Sequence, residues 1–335
     1  VGATYCLDRI YEGGGTACIL NPATGREATM PHAVSRTTGK LKTIAIAGAG
    51  PAGLEAARVA AERGHKVILF EAAPQAGGQI RLATQIKRRK EIIGIIDWRV
   101  GQCERLGVDM RFNTYAEASD LTALSPDVII VATGGLPQNR TVEEGGDLAV
   151  SSWDILSSEV KPADDVLVYD DNGTHPGMTA AEFIADAGSR LEIISPERMF
   201  AADMGGLNLV PYMRKFTEHG VTITTMTRVR ALKREGNKIK ATLFSPYTMA
   251  DCGERIVDQV VVENATSPLD DLYFALKEQS VNRGEVDYSA LIAGRPQDIR
   301  TNSGGAFQLF RLGDAVASRN IHAAIYDALR LMKDI

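Results

Sequence analysis

The chain has few cysteines, and their spacing excludes two kinds of site. Its 335 residues contain four, and no two of them form a Cys-x-x-Cys pair: Cys6, Cys18, Cys103 and Cys252. Four scattered cysteines are too few for the disulfide framework of a small secreted protein. A thioredoxin-type redox pair is also excluded, because it needs two cysteines separated by two residues.

The chain also lacks a large net charge and long apolar runs. Lysine and arginine number 37 against 42 acidic residues, for a net charge of -5. This balance attracts phosphate backbones weakly, so we expect no nucleic-acid partner. No apolar run approaches the roughly 20 residues of a membrane span, and no secretory signal opens the chain. We therefore expect no membrane partner and a cytoplasmic, globular protein.

The first well-patterned unit begins near residue 43. Residues 44–47 form an apolar run of the kind found in strands buried on both faces of a parallel sheet. The turn Gly48-Ala49-Gly50-Pro51-Ala52-Gly53 follows, then a helical pattern over 54–62 and a second apolar run over 67–70 that ends on Glu71. The pattern predicts strand, glycine turn, helix and strand.

The chemistry of this turn indicates a dinucleotide site. In such a site Gly48 makes the tight turn, Gly50 lets the backbone approach a pyrophosphate, and Gly53 allows the helix to pack on the strand. Pro51 suits the first helical turn, where its absent N–H costs nothing. Glu71 follows Gly48 by 23 residues, where a carboxylate can bind ribose hydroxyls and disfavours a 2′-phosphate.

A second strand, loop, helix and strand pattern covers residues 166–194. The last strand and helix, near 310–312 and 321–333, lie far along the chain from this second unit, so we expect them to return to the first lobe. The predicted fold is α/β, with two doubly wound, Rossmann-like lobes and the second inserted in the first. The predicted divisions are an irregular segment 1–40, a nucleotide lobe 41–150 with 265–335, and an inserted lobe 151–264.

The loop of the second unit departs from a phosphate-binding sequence. It reads Asp170-Asp171-Asn172-Gly173-Thr174-His175-Pro176-Gly177. Two carboxylates there would repel a pyrophosphate, and only two of the three glycine roles are filled. We expect that the inserted lobe is kept for architecture and binds NAD(P)H weakly or not at all.

Several motifs together resemble the two-dinucleotide flavoprotein superfamily. They are the glycine turn with Glu71, Gly77-Gly78-Gln79, Ala132-Thr133-Gly134 and Leu312-Gly313-Asp314-Ala315. The Gly-Pro-Ala-Gly form is typical of members that bind FAD. The resemblance implies that Glu71 holds the ribose and that Gly78 and Gln79 line the flavin side. It also implies that Thr133 and Gly134 pass near the adenine half, and that Gly313 and Asp314 face the ribityl and pyrophosphate groups.

The N-terminal segment resembles a narrower group. Val1-Gly2-Ala3-Thr4-Tyr5-Cys6, Cys18, Asn21-Pro22 and Gly25-Arg26-Glu27 are similar to the iron–sulfur junction of trimethylamine dehydrogenase and bacterial dienoyl-CoA reductase. Within that group the segment is most similar to demethylases of dimethylglycine and N-methylproline betaines. The resemblance implies an FMN-binding TIM barrel upstream and a [4Fe–4S] cluster, with Cys6 and Cys18 at its last two ligand positions. Ala3 occupies another ligand position, so two buried free cysteines are the alternative.

Two hypotheses therefore stand for the chain. In one it is an FAD-dependent electron-transfer module of an oxidoreductase that acts on CH–NH donors; in the other it is a structural domain that binds ADP. No catalytic residue for substrate chemistry stands out. The basic run at 87–90 is either a solvated face or a docking patch for an acidic electron-transfer protein, and we expect the full-length enzyme to be an oligomer.

Overall fold

Two five-stranded parallel sheets organise the computed structural model, which describes residues 3–138 and 142–335. The strands are β1 Thr43–Ala47, β2 Lys66–Phe70, β3 Asp109–Arg111, β4 Val128–Val131, β5 Gly135–Pro137, β6 Val150–Ser151, β7 Asp165–Asp170, β8 Arg190–Ile194, β9 Thr222–Thr224, β10 Arg228–Glu235, β11 Lys238–Phe244, β12 Asp251–Val257, β13 Gln259–Glu263, β14 Thr266–Pro268 and β15 Gln308–Arg311. The helices are α1 Tyr5–Tyr11, α2 Pro51–Glu62, α3 Ile80–Ala83, α4 Gly94–Arg105, α5 Ala118–Thr122, α6 Ser152–Leu156, α7 His175–Asp186, α8 Gly206–Glu218, α9 Asp271–Lys277, α10 Tyr288–Ile292 and α11 Ile321–Met332, with 3-10 turns at Lys87–Ile93, Gly146–Leu148 and Gly313–Ala315.

The first sheet has the strand order β15-β4-β1-β2-β3, with every pair parallel. Alternate side chains of β1 enter the two cores on its faces: Ile44 and Ile46 pack with α2, α4 and α11, and Ala45 and Ala47 pack with α5 and α9. Both faces are covered, which explains the unbroken apolar run of this strand. The C-terminal β15 and α11 complete this lobe, so the second lobe is an insertion as predicted.

The second sheet has the order β6-β13-β7-β8-β9 and is also parallel throughout. Helices α6, α7 and α8 cover one face, and the antiparallel strands β10, β11 and β12 cover the other. β10 and β11 form an antiparallel hairpin around Gly236. Met226, whose φ is 53°, lies between β9 and β10. Residues 222–224 pair with β8 in the parallel sheet.

The chain crosses between the lobes twice, and the two crossings pair with each other. β5 leaves the first lobe and β14 returns to it, as an antiparallel two-stranded ribbon. Val142, Leu148 and Ala149 already pack with the second lobe. The inserted lobe therefore gathers residues ahead of 151, the position at which the sequence pattern placed its start.

The N-terminal segment, predicted to be irregular, contains the short helix α1 and lies against both lobes. Asp8 of α1 is buried and accepts hydrogen bonds at the start of α8, from the Leu207 backbone N–H at 3.0 Å and the Asn208 amide at 2.6 Å. A side chain at Gly205 would collide with Asp8, so α8 and α1 fit closely. Among the described helices, none is long and apolar enough to cross a membrane.

Candidate functional site

The first glycine turn has the geometry that its sequence predicts. Gly48 adopts φ 102°, and a Cβ there would lie 2.7 Å from the carbonyl carbon of Ala132. A Cβ on Gly53 would lie 3.0 Å from the carbonyl carbon of Gly48 and closer still to its oxygen. Gly50 differs, because a Cβ there would meet nothing within 4 Å. Gly48 and Gly53 thus make the turn possible, and Gly50 leaves an open cradle.

The cradle lies at the start of α2. Gly50 is the residue before the helix, Pro51 opens it, and its first turn contains no acidic side chain. Helix N-termini present unpaired N–H groups and a positive dipole end, which together favour an anion. This end of α2 can therefore hold a phosphate group next to Gly50.

Glu71 lies beside the same turn, at the carboxyl end of β2. Its carboxylate accepts hydrogen bonds from the backbone N–H groups of Ala49, at 2.7 Å, and Ala73, at 2.9 Å. These two bonds fix the orientation of a half-buried carboxylate at the mouth of the cradle. A ribose lying over the glycine turn would meet this acceptor.

Two segments that are distant in sequence meet on the other side of the cradle. The position of a Cβ on Gly78 is 3.6 Å from Gly50, and that on Gly313 is 3.0 Å from Ala52. The Gln79 amide donates to the Asp314 carboxylate at 3.0 Å, across 235 residues of chain. The structure thus places the motifs that contain Gln79 and Asp314 beside the glycine turn. Together the three motifs form a track that leads away from Glu71.

Thr133 and Gly134 also reach this region, but their polar groups serve the lobe crossing. The Thr133 hydroxyl donates to the carbonyl of Leu269 at 2.5 Å, and the Leu269 N–H donates to the carbonyl of Gly134 at 3.0 Å. Ala132 supports the glycine turn directly. The contacts of Thr133 and Gly134 therefore fix where the second crossing rejoins the first lobe.

A cavity of about 640 Å³ opens at the Gln79 end of the track. It lies between the lobes and the N-terminal segment, and its volume is in the range of ligand sites. Its walls include Gln79, Ile80, Leu156, His175 and Ile321. Two polar residues of this wall, Thr266 and Asn320, belong to none of the sequence motifs described above. The Thr266 hydroxyl donates to Asp314 at 3.4 Å. Asn320 caps α11 by accepting from the Ala323 N–H at 2.9 Å. An Asn directly before an apolar helical pattern is an N-cap signal, by which Asn320 could have been predicted from the sequence.

In the loop after β7, the loop's own backbone binds one oxygen of the Asp170 carboxyl, and the other oxygen, Oδ2, has no hydrogen-bond partner among the described residues. Asp170 is 1% exposed, and its carboxyl accepts from the backbone N–H groups of Asn172 and Gly173, both at 3.1 Å. The Asp170 side chain also fills the space in front of Gly177. Burial, and then the neighbouring Glu263, raise the pKa of Asp170 to about 7. A carboxyl group therefore takes the backbone donors that a phosphate would use.

The basic run at 87–90 is not a uniformly solvated face. Arg88 makes a two-pronged ion pair with the buried Glu182 of α7, at 2.8 and 2.9 Å, and its guanidinium lies 3.7 Å from the ring centre of Tyr212. Arg89 is 6% exposed and donates to Nδ1 of His175 at 2.8 Å. These two side chains join the lobes, and only Lys87 and Lys90 remain available as an exposed basic patch.

Cys6 and Cys18 are both partly buried free thiols. Cys6 lies in α1, and the Sγ of Cys18 accepts from the Asn21 N–H at 3.5 Å. Over residues 3–138 and 142–335 there is no group of three or more His, Cys, Asp or Glu side chains that could hold a metal ion. The described residues therefore do not form a complete four-thiolate site. Val1 and Gly2 of the junction motif lie outside the described residues.

Comparisons with known proteins agree with this architecture. The chain is 55% identical over 335 residues to a probable N-methylproline demethylase of Rhizobium meliloti, covering 100% of this chain and 49% of that protein. It is 45% identical over 346 residues to the N,N-dimethylglycine/sarcosine dehydrogenase of Chromohalobacter salexigens, covering 100% of this chain and 50% of that protein. The chain thus spans about half the length of these relatives, and the expected kinship with demethylases is confirmed.

Solved structures show the same fold. Histamine dehydrogenase from Rhizobium sp. 4-9 superposes with a TM-score of 0.83 at 22% identity, over 99% of this chain and 50% of that one. Thioredoxin reductase of T. acidophilum superposes with a TM-score of 0.59 at 16% identity, over 88% of this chain and 97% of that one. Residues 42–289 match the sequence profile described as "Pyridine nucleotide-disulphide oxidoreductase". The chain belongs to the pyridine nucleotide-disulphide oxidoreductase family, as an oxidoreductase module with two dinucleotide-type lobes.

Proposed function

We propose that the first lobe binds FAD and that the chain is the dinucleotide-binding, electron-transfer part of an N-demethylase or amine dehydrogenase. The observation that carries the proposal is the cavity at the end of the nucleotide track. A track ending in solid protein would suit ADP alone, whereas about 640 Å³ of space beyond Gln79 can accept a flavin ring.

The residues on the track fit the successive parts of FAD. Glu71 would hold the adenosine ribose, and the start of α2 beside Gly50 would hold the pyrophosphate. The Gln79 and Asp314 side chains, already hydrogen-bonded to each other, would flank the ribityl chain. Bound flavin would supply one- and two-electron chemistry, and the protein's part is to position its ring between the lobes.

We assign the substrate class from the relatives. One is named for demethylation of N-methylproline and another for dehydrogenation of dimethylglycine and sarcosine, so we propose a secondary or tertiary N-methylated amino acid. Its oxidation would take place in an FMN-binding barrel preceding this chain. We assign no catalytic residue to the chain itself.

We propose that NAD(P)H is not the electron donor to this chain. The Asp170 carboxyl occupies backbone donors of the loop at the start of α7, and Glu263 on the adjacent strand adds a second buried carboxyl. A pyrophosphate at this loop would face both groups. Cys6 and Cys18 remain candidate ligands of an iron–sulfur cluster, and we assign no step to it because the described residues do not supply four thiolates.

Identification of the bound nucleotide tests the proposal. The visible spectrum of the purified chain is recorded, the protein is denatured, and the released nucleotide is identified by chromatography. We expect flavin absorption bands and FAD in near-equal amount to protein. Release of ADP, or of no nucleotide after incubation with FAD, would favour a structural adenine-nucleotide domain and contradict the proposal.

A further inference from the structure

The wall of the inter-lobe cavity contains a buried positive charge without a carboxylate partner. Arg89 is 6% exposed and lines the cavity together with His175, Pro176 and Thr179 of α7. The other buried arginines of the described chain are paired: Arg99 binds Glu55 at 2.8 Å, and Arg58 binds Glu55 at 2.7 Å. Arg89 forms no ion pair with any carboxylate of the described residues.

The contacts of Arg89 do not neutralise its charge. Its Nη1 donates to Nδ1 of His175 at 2.8 Å, and its Nε has no hydrogen-bond partner. Burial, and then the charges of Arg89 and Arg88, lower the pKa of His175 to about 3. His175 is therefore a neutral acceptor at physiological pH, and the pair retains one positive charge.

A buried charge is costly unless it is paired. The Nε–Nη2 edge of a guanidinium is one that binds a carboxylate with two parallel hydrogen bonds. Arg89 instead donates hydrogen bonds to two neutral groups, the His175 ring and the Tyr212 hydroxyl, and its Nε has no partner among the described residues. The guanidinium therefore lines the cavity without a carboxylate to pair with. The start of α7, which has twelve residues and no acidic side chain in its first turn, adds a favourable dipole.

The surroundings favour a small anion with a single charge. Besides Arg89, two arginines and four acidic residues line the cavity: Arg9, Arg319, Asp8, Glu12, Asp203 and Glu263. The acidic side chains outnumber the cationic ones, and they would repel a phosphate dianion more strongly than a carboxylate. Trp153, Leu156 and Pro176 add apolar wall that suits the carbon part of an organic acid. A dinucleotide would need the loop donors that Asp170 already occupies.

We propose that the Arg89 end of the cavity is a binding site for a small organic carboxylate. The site is formed by the Arg89 guanidinium with His175 at the start of α7. It uses none of the residues assigned to the proposed nucleotide track, and its existence does not depend on whether the nucleotide is FAD or ADP.

Thermal unfolding of the purified chain tests this proposal, with sodium acetate as the probe and sodium chloride at equal ionic strength as the reference. We expect acetate to raise the unfolding midpoint by about 1–2 °C when it exceeds its Kd about five-fold. The Arg89→Met variant should lose the response. The matched control Lys90→Met, which removes an exposed cation one residue along, should keep it.

A second variant guards against misfolding of Arg89→Met. Arg89→Lys keeps the charge but loses the planar fork, so its apparent Kd for acetate should rise about ten-fold. Equal responses to acetate and chloride, an acetate response that persists in Arg89→Met, or a response to phosphate without one to acetate would each overturn the proposal. Failure of the FAD proposal would appear separately, as ADP or no nucleotide released from a chain that still responds to acetate.

Discussion

Adding one methyl group at Gly50 should weaken nucleotide binding about a hundred-fold without unfolding the protein. Gly50 adopts φ -72° and ψ -177°, an extended conformation open to alanine, and a Cβ would meet no protein atom within 4 Å. Alanine is a poorer residue than glycine before a helix, but it also restricts the unfolded chain. The two effects nearly cancel, so the free energy of unfolding should change by less than about 1 kcal/mol.

The effect on binding should be much larger, because the methyl group would occupy the space that the pyrophosphate needs. Losing two hydrogen bonds to a charged group, at about 1.5 kcal/mol each, amounts to about 3 kcal/mol. This corresponds to a Kd about a hundred-fold higher. Calorimetric titration of the nucleotide-free protein with ADP and with FAD measures this change, and urea unfolding measures stability.

Gly53→Ala is the matched control on the same turn. Its Cβ would overlap the carbonyl group of Gly48, a backbone atom that cannot move aside cheaply. We expect a loss of about 3 kcal/mol of stability from this overpacking. The reasoning would be refuted by a Gly50→Ala variant that binds FAD like the wild type, or by a Gly53→Ala variant with wild-type stability.

Three other substitutions test separate parts of the structure. Glu71→Gln should weaken ADP binding about ten-fold, since it removes the charge that strengthens the ribose hydrogen bonds; an unchanged Kd in a calorimetric titration would contradict the assignment. Arg88→Met should lower the free energy of urea unfolding by about 3 kcal/mol, because it leaves Glu182 buried and unpaired; adding Glu182→Gln should recover most of this loss. Asp170→Asn should become more stable than the wild type as the pH rises. The pKa of Asp170 is about 7 in the folded state and about 4 in the unfolded state, so wild-type stability falls through that window while the amide, which matches the protonated carboxyl, has no such loss. Urea unfolding at pH 5 and pH 8 measures the difference, and equal gaps at both values would show that Asp170 is ionised throughout.

Local sequence was sufficient to predict the geometry of the glycine turn and the position of Glu71 beside it. Gly48, Gly50, Gly53 and Glu71 lie within one strand, turn, helix and strand, so their spacing alone fixes their relative positions. The poor fit of the acidic loop at 170–177 to a phosphate could also be predicted from the sequence. Two carboxylates next to the start of a helix conflict with phosphate binding, whichever residues pack around them.

Other features depended on contacts that no local pattern contains. The meeting of Gln79 with Asp314 requires β15 to lie beside β4, which is a matter of sheet order. The burial of Arg89 arises because the inserted lobe closes over a run that looks solvent-exposed in sequence. The positive φ of Met226 likewise stands between β9 and β10, which belong to two different sheets.

The sequence by itself therefore determined the fold class, the inserted lobe and the geometry of the glycine turn, because these follow from short-range periodicity and from the stereochemistry of glycine. Only the tertiary structure decided where the track ends, which charges are buried, and what lines the space between the lobes. Those features depend on surfaces that meet only when two separately patterned lobes pack together. The lone charge of Arg89 shows the difference, since an arginine acquires the need for a counter-ion only when folding removes it from water.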